Sequence, residues 1–169
     1  MEKHLYATES GTVCYWTAGP RNSGACTLVF LPGLAADHTL FDAQVAHFSH
    51  THLCIVWDAP AHGESRPYPL DFSLDDYALI LHAILAKEHV PCPVLVGQLL
   101  GGYVAQAYAA IFPGRVAGFV SIDSVPLKRS YYPKWEIVAL RHTKGMYLSI
   151  PWPVLRRWGS FGAEARTCV

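Results

Sequence analysis

The sequence has little charge and no excess of either sign. It carries 13 Lys and Arg against 13 Asp and Glu, together 15% of its 169 residues. That balance excludes a basic track for nucleic acid, because the tightest cluster, Arg156-Arg157, is too small to follow a phosphate backbone. Long apolar runs are also missing: each is broken early by His, Gly or Pro, so no segment reads as a bilayer-spanning helix. The start, MEKHLYATESG, lacks the apolar stretch of a signal peptide, and a cytoplasmic location is expected. No CxxC pair occurs. The five cysteines (Cys14, Cys26, Cys54, Cys92 and Cys168) are odd in number and read as buried free thiols, not a disulfide framework. Among nine histidines, none pair at helical ligand spacing around a carboxylate. His47, His50 and His52 cluster where a helix should give way to a strand, which reads as a solvated turn. Neither a metal nor a cofactor is expected.

What is abundant is apolar: 51% of the residues are hydrophobic and 12% aromatic, which excludes disorder over most of the length and supports one domain with a real core. HLYATESGTVCYWTAG alternates around Ser10-Gly11 and predicts a hairpin. ACTLVFLPG, HLCIVWDAP and PVLVGQ are continuous apolar runs, the pattern of strands covered on both faces, and RVAGFVSID predicts a fourth such strand. Between them lie a short helix in LFDAQVAHF, a long one in SLDDYALILHAILAKEH and a third in LGGYVAQAYAAIF. In the long helix Ser73 can cap the start, Asp75 and Asp76 favour the positive end of the dipole, and residues 74, 77, 81, 84 and 85 form an apolar stripe. Alternating strands and helices predict an α/β fold with a mostly parallel, doubly wound sheet behind an amino-terminal hairpin. Residues 1–126 form the expected core. Residues 127–169 show no buried-strand run and read as a lid-like helical segment rich in Trp, Tyr and Arg.

The most informative stretch is VGQLLGG, residues 96–102, which joins the third buried strand to a helix. Gly97 and Gly101 flank Leu99 at the spacing of G-x-S-x-G, in which a sharp strand-to-helix turn forces a strained central residue and small neighbours two positions away. Gly102 would let the helix approach the sheet, and the Leu100 N–H would open that helix, where an anion is favoured. By themselves the glycines equally fit a tight turn without function.

Three ordered motifs give the turn its context: LVFLPGLAADHTLF, VWDAPAHGESRP and LVGQLLGGYVAQAYAAIFPGRVAGFVSIDSVP. Together, over residues 1–126, they resemble the amino-terminal two thirds of the α/β-hydrolase fold, in its lid-bearing branch of esterases, haloperoxidases, lactonases and carbon–carbon bond hydrolases. The resemblance implies that Leu99 stands at the nucleophile position. It implies oxyanion-hole N–H groups from Leu100 and from Leu34, which follows Pro-Gly where relatives carry His-Gly. DAPAHGES resembles the family's D-x-P-G-H-G-x-S loop, with Ala61 in place of its first glycine and His62 bracing the loop. Asp123 falls where a minority of the family places its acid. Trp135, Tyr147, Trp152 and Trp158 would suit a lid over an apolar pocket, or equally the packing of that lid on the core.

Two departures set the functional expectation. Leucine has no nucleophilic atom, so acyl-enzyme chemistry at position 99 is excluded, and neither Gln98 nor Leu100 supplies a hydroxyl. A directly attacking water, helped by the oxyanion hole, would leave at most a residual rate, roughly 10³ to 10⁴ over water in a protease stripped of its triad. The fold also reads as truncated before its last strands, so the family's usual acid and histidine have no place, and His142 is the only histidine beyond the turn. A branched side chain in the strained turn costs about 1–3 kcal/mol, so either the turn relaxes or the leucine recovers energy by filling the pocket floor. Three readings follow: a hydrolase of ester- or lactone-type carbonyl substrates that has lost its nucleophile, a non-catalytic protein binding a small apolar ligand, or a truncated product whose uncovered sheet edge is open to self-association.

Overall fold

The computed structural model describes residues 1–21 and 24–127, and Trp135. Residues Met1–Leu127 form one compact unit. The hairpin forms as expected: β1 (Glu2–Ala7) pairs antiparallel with β2 (Thr12–Ala18). The Thr8 side chain closes its turn by donating to the Gly11 carbonyl at 2.9 Å and accepting from the Gly11 N–H at 3.1 Å.

The next strands are β3 (Leu28–Leu31), β4 (Cys54–Trp57), β5 (Val94–Gln98) and β6 (Gly118–Ile122). Among the described residues the sheet runs β1-β2-β4-β3-β5-β6, antiparallel at the hairpin end and parallel from β4 to β6. The crossovers are helical, as parallel neighbours require. A 3-10 turn (His38–Phe41) and α1 (Asp42–Phe48) lead from β3 to β4, α2 (Leu74–Lys87) from β4 to β5, and α3 (Leu100–Ile111) from β5 to β6.

Alternation along the strands divides the core between two faces. Val13, Tyr15, Val29, Leu31, Ile55, Trp57 and Leu95 meet the buried stripes of α2 and α3 on one face. Cys14, Trp16, Phe30, Cys54 and Val56 meet Phe41 and Val45 of the shorter α1 side on the other. At about 1.5–3 kcal/mol for each large side chain withdrawn from water, the α2–α3 face dominates the stability of the unit. Helix α2 begins as expected at Ser73, and Asp76 completes a capping box by accepting from the Ser73 N–H at 2.7 Å. Its other end is latched to the hairpin. The buried Glu88 carboxylate accepts from the Tyr15 hydroxyl at 2.5 Å and from Arg21 at 2.7 Å. Burial pushes this carboxyl up, but the Tyr15 and Arg21 donors outweigh that and hold it below the ordinary 4.5.

Two expectations need correction. RVAGFVSID does not form a strand covered on both faces: Phe119, Val120 and Ile122 are all more than 40% exposed, because β6 pairs only with β5 and lies at the sheet edge among the described residues. The four described thiols are free but not uniformly buried. Cys14 and Cys54 are in the core, where burial pushes the Cys54 thiol up to about 11, whereas Cys26 and Cys92 lie exposed in the connections leading into β3 and β5. His47 and His50 are exposed at the end of α1 and in the turn after it. No helix among the described residues is long and apolar enough to cross a membrane. Tyr147, Trp152, Trp158, His142 and Cys168 lie outside the described residues.

Candidate functional site

The carboxyl ends of β3, β4, β5 and β6 bring the segments that follow them to one end of the sheet, the place where open α/β sheets bind ligands. The central loop is the turn from β5 into α3. Leu99 adopts φ 45° and ψ −111°, a strained conformation for any residue with a side chain. It holds because both sides of the turn are fixed. The Leu99 N–H donates to the Ile122 carbonyl at 3.0 Å, and its own carbonyl accepts from the Gly102 N–H at 3.0 Å and the Tyr103 N–H at 3.2 Å.

The glycines act by close approach. A Cβ on Gly97 would come within 2.5 Å of the Gly101 carbonyl oxygen and the Gly102 nitrogen across the turn. One on Gly101 would overlap the Leu31 carbonyl oxygen of β3, so this is the residue that seats α3 on the sheet. Gly102, expected to do so, instead makes room for the Ser124 hydroxyl.

Neither way of easing the leucine's cost is taken. The turn keeps its strain, and the Leu99 side chain remains 37% exposed. Leu100 is the first residue of α3, where an N–H has no acceptor within its own helix. Leu34 is exposed on the loop after β3. Asp123, exposed and with φ 53°, directly follows the Ile122 carbonyl that binds Leu99, which puts it at the strand end beside the turn. No histidine hydrogen-bonds to it among the described residues. The imidazoles of His4, His38, His52, His62 and His82 instead meet Thr17, Asp58, Thr51, Pro60 and Tyr108.

Two residues near the turn escaped the sequence reading. The Ser124 hydroxyl lies within reach of the Leu99 carbonyl at 3.0 Å and the Ile122 carbonyl at 3.2 Å, bracing the turn from the β6 side. The Gln98 side chain presses its Oε1 against Gly33, on the loop that carries Leu34, so closely that a Cβ there would overlap it. A Pro-Gly signal marks the Gly33 loop, but nothing local indicates that residue 98 reaches it.

The neighbouring loop, Asp58–Ser65, is wired by hydrogen bonds. Asp58 is fully buried; one carboxylate oxygen accepts from the His38 N–H at 2.7 Å and from His38 Nδ1 at 3.0 Å, the other from the Glu64 N–H at 2.7 Å. Facing a carboxylate, Nδ1 is the protonated nitrogen of that ring, and the His38 imidazole stacks on Trp16 at 3.6 Å between centroids. Ser65 Oγ donates to the Asp58 carbonyl at 2.6 Å and accepts from the Cys14 N–H at 2.8 Å, tying the loop to β2. His62 is buried with Nδ1 2.9 Å from the Pro60 carbonyl, a bracing geometry. Ala61 takes φ 65°, the left-handed conformation that a glycine would adopt more easily.

A family model described as alpha/beta hydrolase fold matches residues 27–151. A curated relative, abhydrolase domain-containing protein lid-1 of Caenorhabditis elegans, is 30% identical over 122 residues, covering 67% of this chain and 33% of that protein. The chain spans about a third of the length of the curated relatives it matches. Among solved structures, an N-acyl homoserine lactone degrading enzyme superposes with a TM-score of 0.68 at 23% identity, covering 82% of this chain and 52% of that one. A thermophilic esterase from Thermogutta terrifontis superposes with a TM-score of 0.66 at 23% identity, covering 77% of this chain and 49% of that one. At these identities the superpositions show a shared fold.

Proposed function

The chain belongs to the α/β-hydrolase fold family, and from that premise we propose that it derives from hydrolases of small ester- or lactone-type carbonyl compounds and has lost their nucleophile at Leu99. The observation that carries this reading is the φ of 45° at Leu99. A leucine at positive φ that stays more than a third exposed offsets only part of its strain by packing, whereas a serine in the same geometry would present its hydroxyl outward for attack. In this reading the Leu34 and Leu100 N–H groups receive the carbonyl oxygen as negative charge develops, and Gly97 and Gly101 keep the turn sharp. Asp123 is the acid candidate by position. Without an attacking side chain, hydrolysis falls to whatever a polarised carbonyl and free water allow.

The test is Leu99→Ser in a chain extended by a carboxy-terminal region that restores the family's acid and histidine, treated with an alkyl fluorophosphonate and read by intact mass. The extension is needed because an unpaired serine hydroxyl is too weak a nucleophile to report. A single adduct on the variant and none on the parent chain is expected. A folded variant that gives no adduct overturns the assignment of the turn.

The exposed apolar side chain at the tip favours one second reading, a non-catalytic protein that binds a small apolar ligand. Thermal stabilisation by an acyl lactone that is recovered intact, lost in Leu99→Asp, would select it. Steady consumption of the lactone would reject it.

A further inference from the structure

We propose that the open cavity between the carboxyl-terminal halves of α2 and α3 is a binding site for a small organic carboxylate, separate from the turn at Leu99. The cavity has a volume of about 420 Å³, within the range of small-molecule sites. Its polar lining is one-sided in charge: His82, His89, Tyr108 and Arg115 face it, and no aspartate or glutamate does. Val90 and Pro91 supply an apolar wall beside them.

These groups are placed before any ligand arrives. The His82 ring stacks on Phe112 at 3.9 Å between centroids and 13° between planes, with Nδ1 3.3 Å from the Tyr108 hydroxyl. Tyr108 is only 1% exposed, so its hydroxyl is held in place at the cavity wall by the packing around it and by His82. Burial pushes its phenol up, outweighing the pull of Arg115 in the other direction, so it keeps its proton. Arg115 is exposed after the turn that ends α3 and forms no ion pair among the described residues. Glu88, which directly precedes His89, is bound to Tyr15 and Arg21 and does not line the cavity.

The donor set selects the ligand class. A guanidinium fork matches the two oxygens of a carboxylate, the hydrogen-bonded His82–Tyr108 pair presents one further donor between them, and the His89 imidazole another. The apolar wall gives a hydrocarbon body something to bury against, which inorganic phosphate cannot use. The place is also distinct: Val90, Pro91 and Arg115 precede the amino ends of β5 and β6, whereas Leu99 follows the carboxyl end of β5, on the order of 16 Å along the strand.

The experiment titrates the full chain with sodium benzoate by calorimetry at fixed ionic strength, with benzyl alcohol and inorganic phosphate as comparisons. Benzoate is expected to bind at one site more tightly than either, to move the amide resonances of His89, Val90 and Arg115, and to leave those of Leu99 and Gly101 in place. Arg115→Gln, a change at an exposed position, should weaken benzoate about tenfold, the usual scale for one charged hydrogen bond. Benzoate binding should be unchanged by Leu99→Ser. Benzyl alcohol or phosphate binding as tightly as benzoate, an unaffected Arg115→Gln, or resonance shifts centred on Leu99 would each overturn the proposal.

Discussion

The two loops at the carboxyl edge of the sheet, Asp58–Ser65 and Gly97–Gly102, each hold a side-chain-bearing residue at positive φ, Ala61 at 65° and Leu99 at 45°. They achieve it by opposite means. The first is polar and buried, with one carboxylate binding three donors and one hydroxyl binding two backbone groups. The second is mainly steric: glycines bring the turn and its helix so close to β3 that no other residue fits, and the residue at its tip faces outward. The first loop spends its Asp58 carboxylate and Ser65 hydroxyl on its own backbone, His38 and β2. A loop shaped by close approach leaves its tip and its free N–H groups available. That difference is why the proposed chemistry is placed at the second loop and not at the first.

Substitutions can break this contrast in order of size. Gly101→Ala places a methyl group on the Leu31 carbonyl of β3, with no flexible side chain to yield. A loss of about 4 kcal/mol is expected, read as a large fall in the urea midpoint, since it removes much of the roughly 5–15 kcal/mol of a domain of ordinary stability. Asp58→Ala leaves the His38 and Glu64 N–H groups without their acceptor in a buried site. A loss of about 3 kcal/mol is expected in the same measurement, and Asp58→Asn, which keeps one acceptor, should lose about half of that. An Asp58→Ala cost larger than that of Gly101→Ala would mean that the steric turn is the softer of the two. Leu99→Gly should do the reverse and raise the urea midpoint by about 1 kcal/mol equivalent, since it removes strain and exposes no core. Ala61→Gly should gain about 0.5 kcal/mol or less, because the left-handed cost for alanine nearly cancels the added chain entropy of glycine. If Ala61→Gly gains more than Leu99→Gly, the turn at Leu99 is not the more strained loop.

Local chemistry carried most of the fold into the sequence. A serine three residues before an aspartate and an apolar stripe of helical period locate α2, and unbroken Val, Leu and Ile runs locate β3, β4 and β5. The turn was legible for the same reason, since Gly97, Gly101 and the strand before them lie within a dozen residues. What was not legible depends on partners far along the chain. Ser124 reaches Leu99 across 25 positions, and Asp58 meets His38 across 20. The exposure of β6 follows from its place at an edge, which the composition of RVAGFVSID does not encode. The leucine's cost was foreseen but not its outcome, because whether a turn relaxes depends on what pins both its ends, here Ile122 on one side and α3 on the other.

The order β4-β3-β5 has a consequence for synthesis. Strand β3 sits between a neighbour complete at Trp57 and another complete only at Gln98, 41 residues later. At about 5–20 residues per second on the ribosome, that interval is roughly 2–8 s. Throughout it, the side of Leu28–Leu31 destined for β5 has no partner on its own chain. A strand interior to the sheet is therefore an edge during translation, and this window is when nascent copies are most exposed to wrong pairing and to chaperone capture.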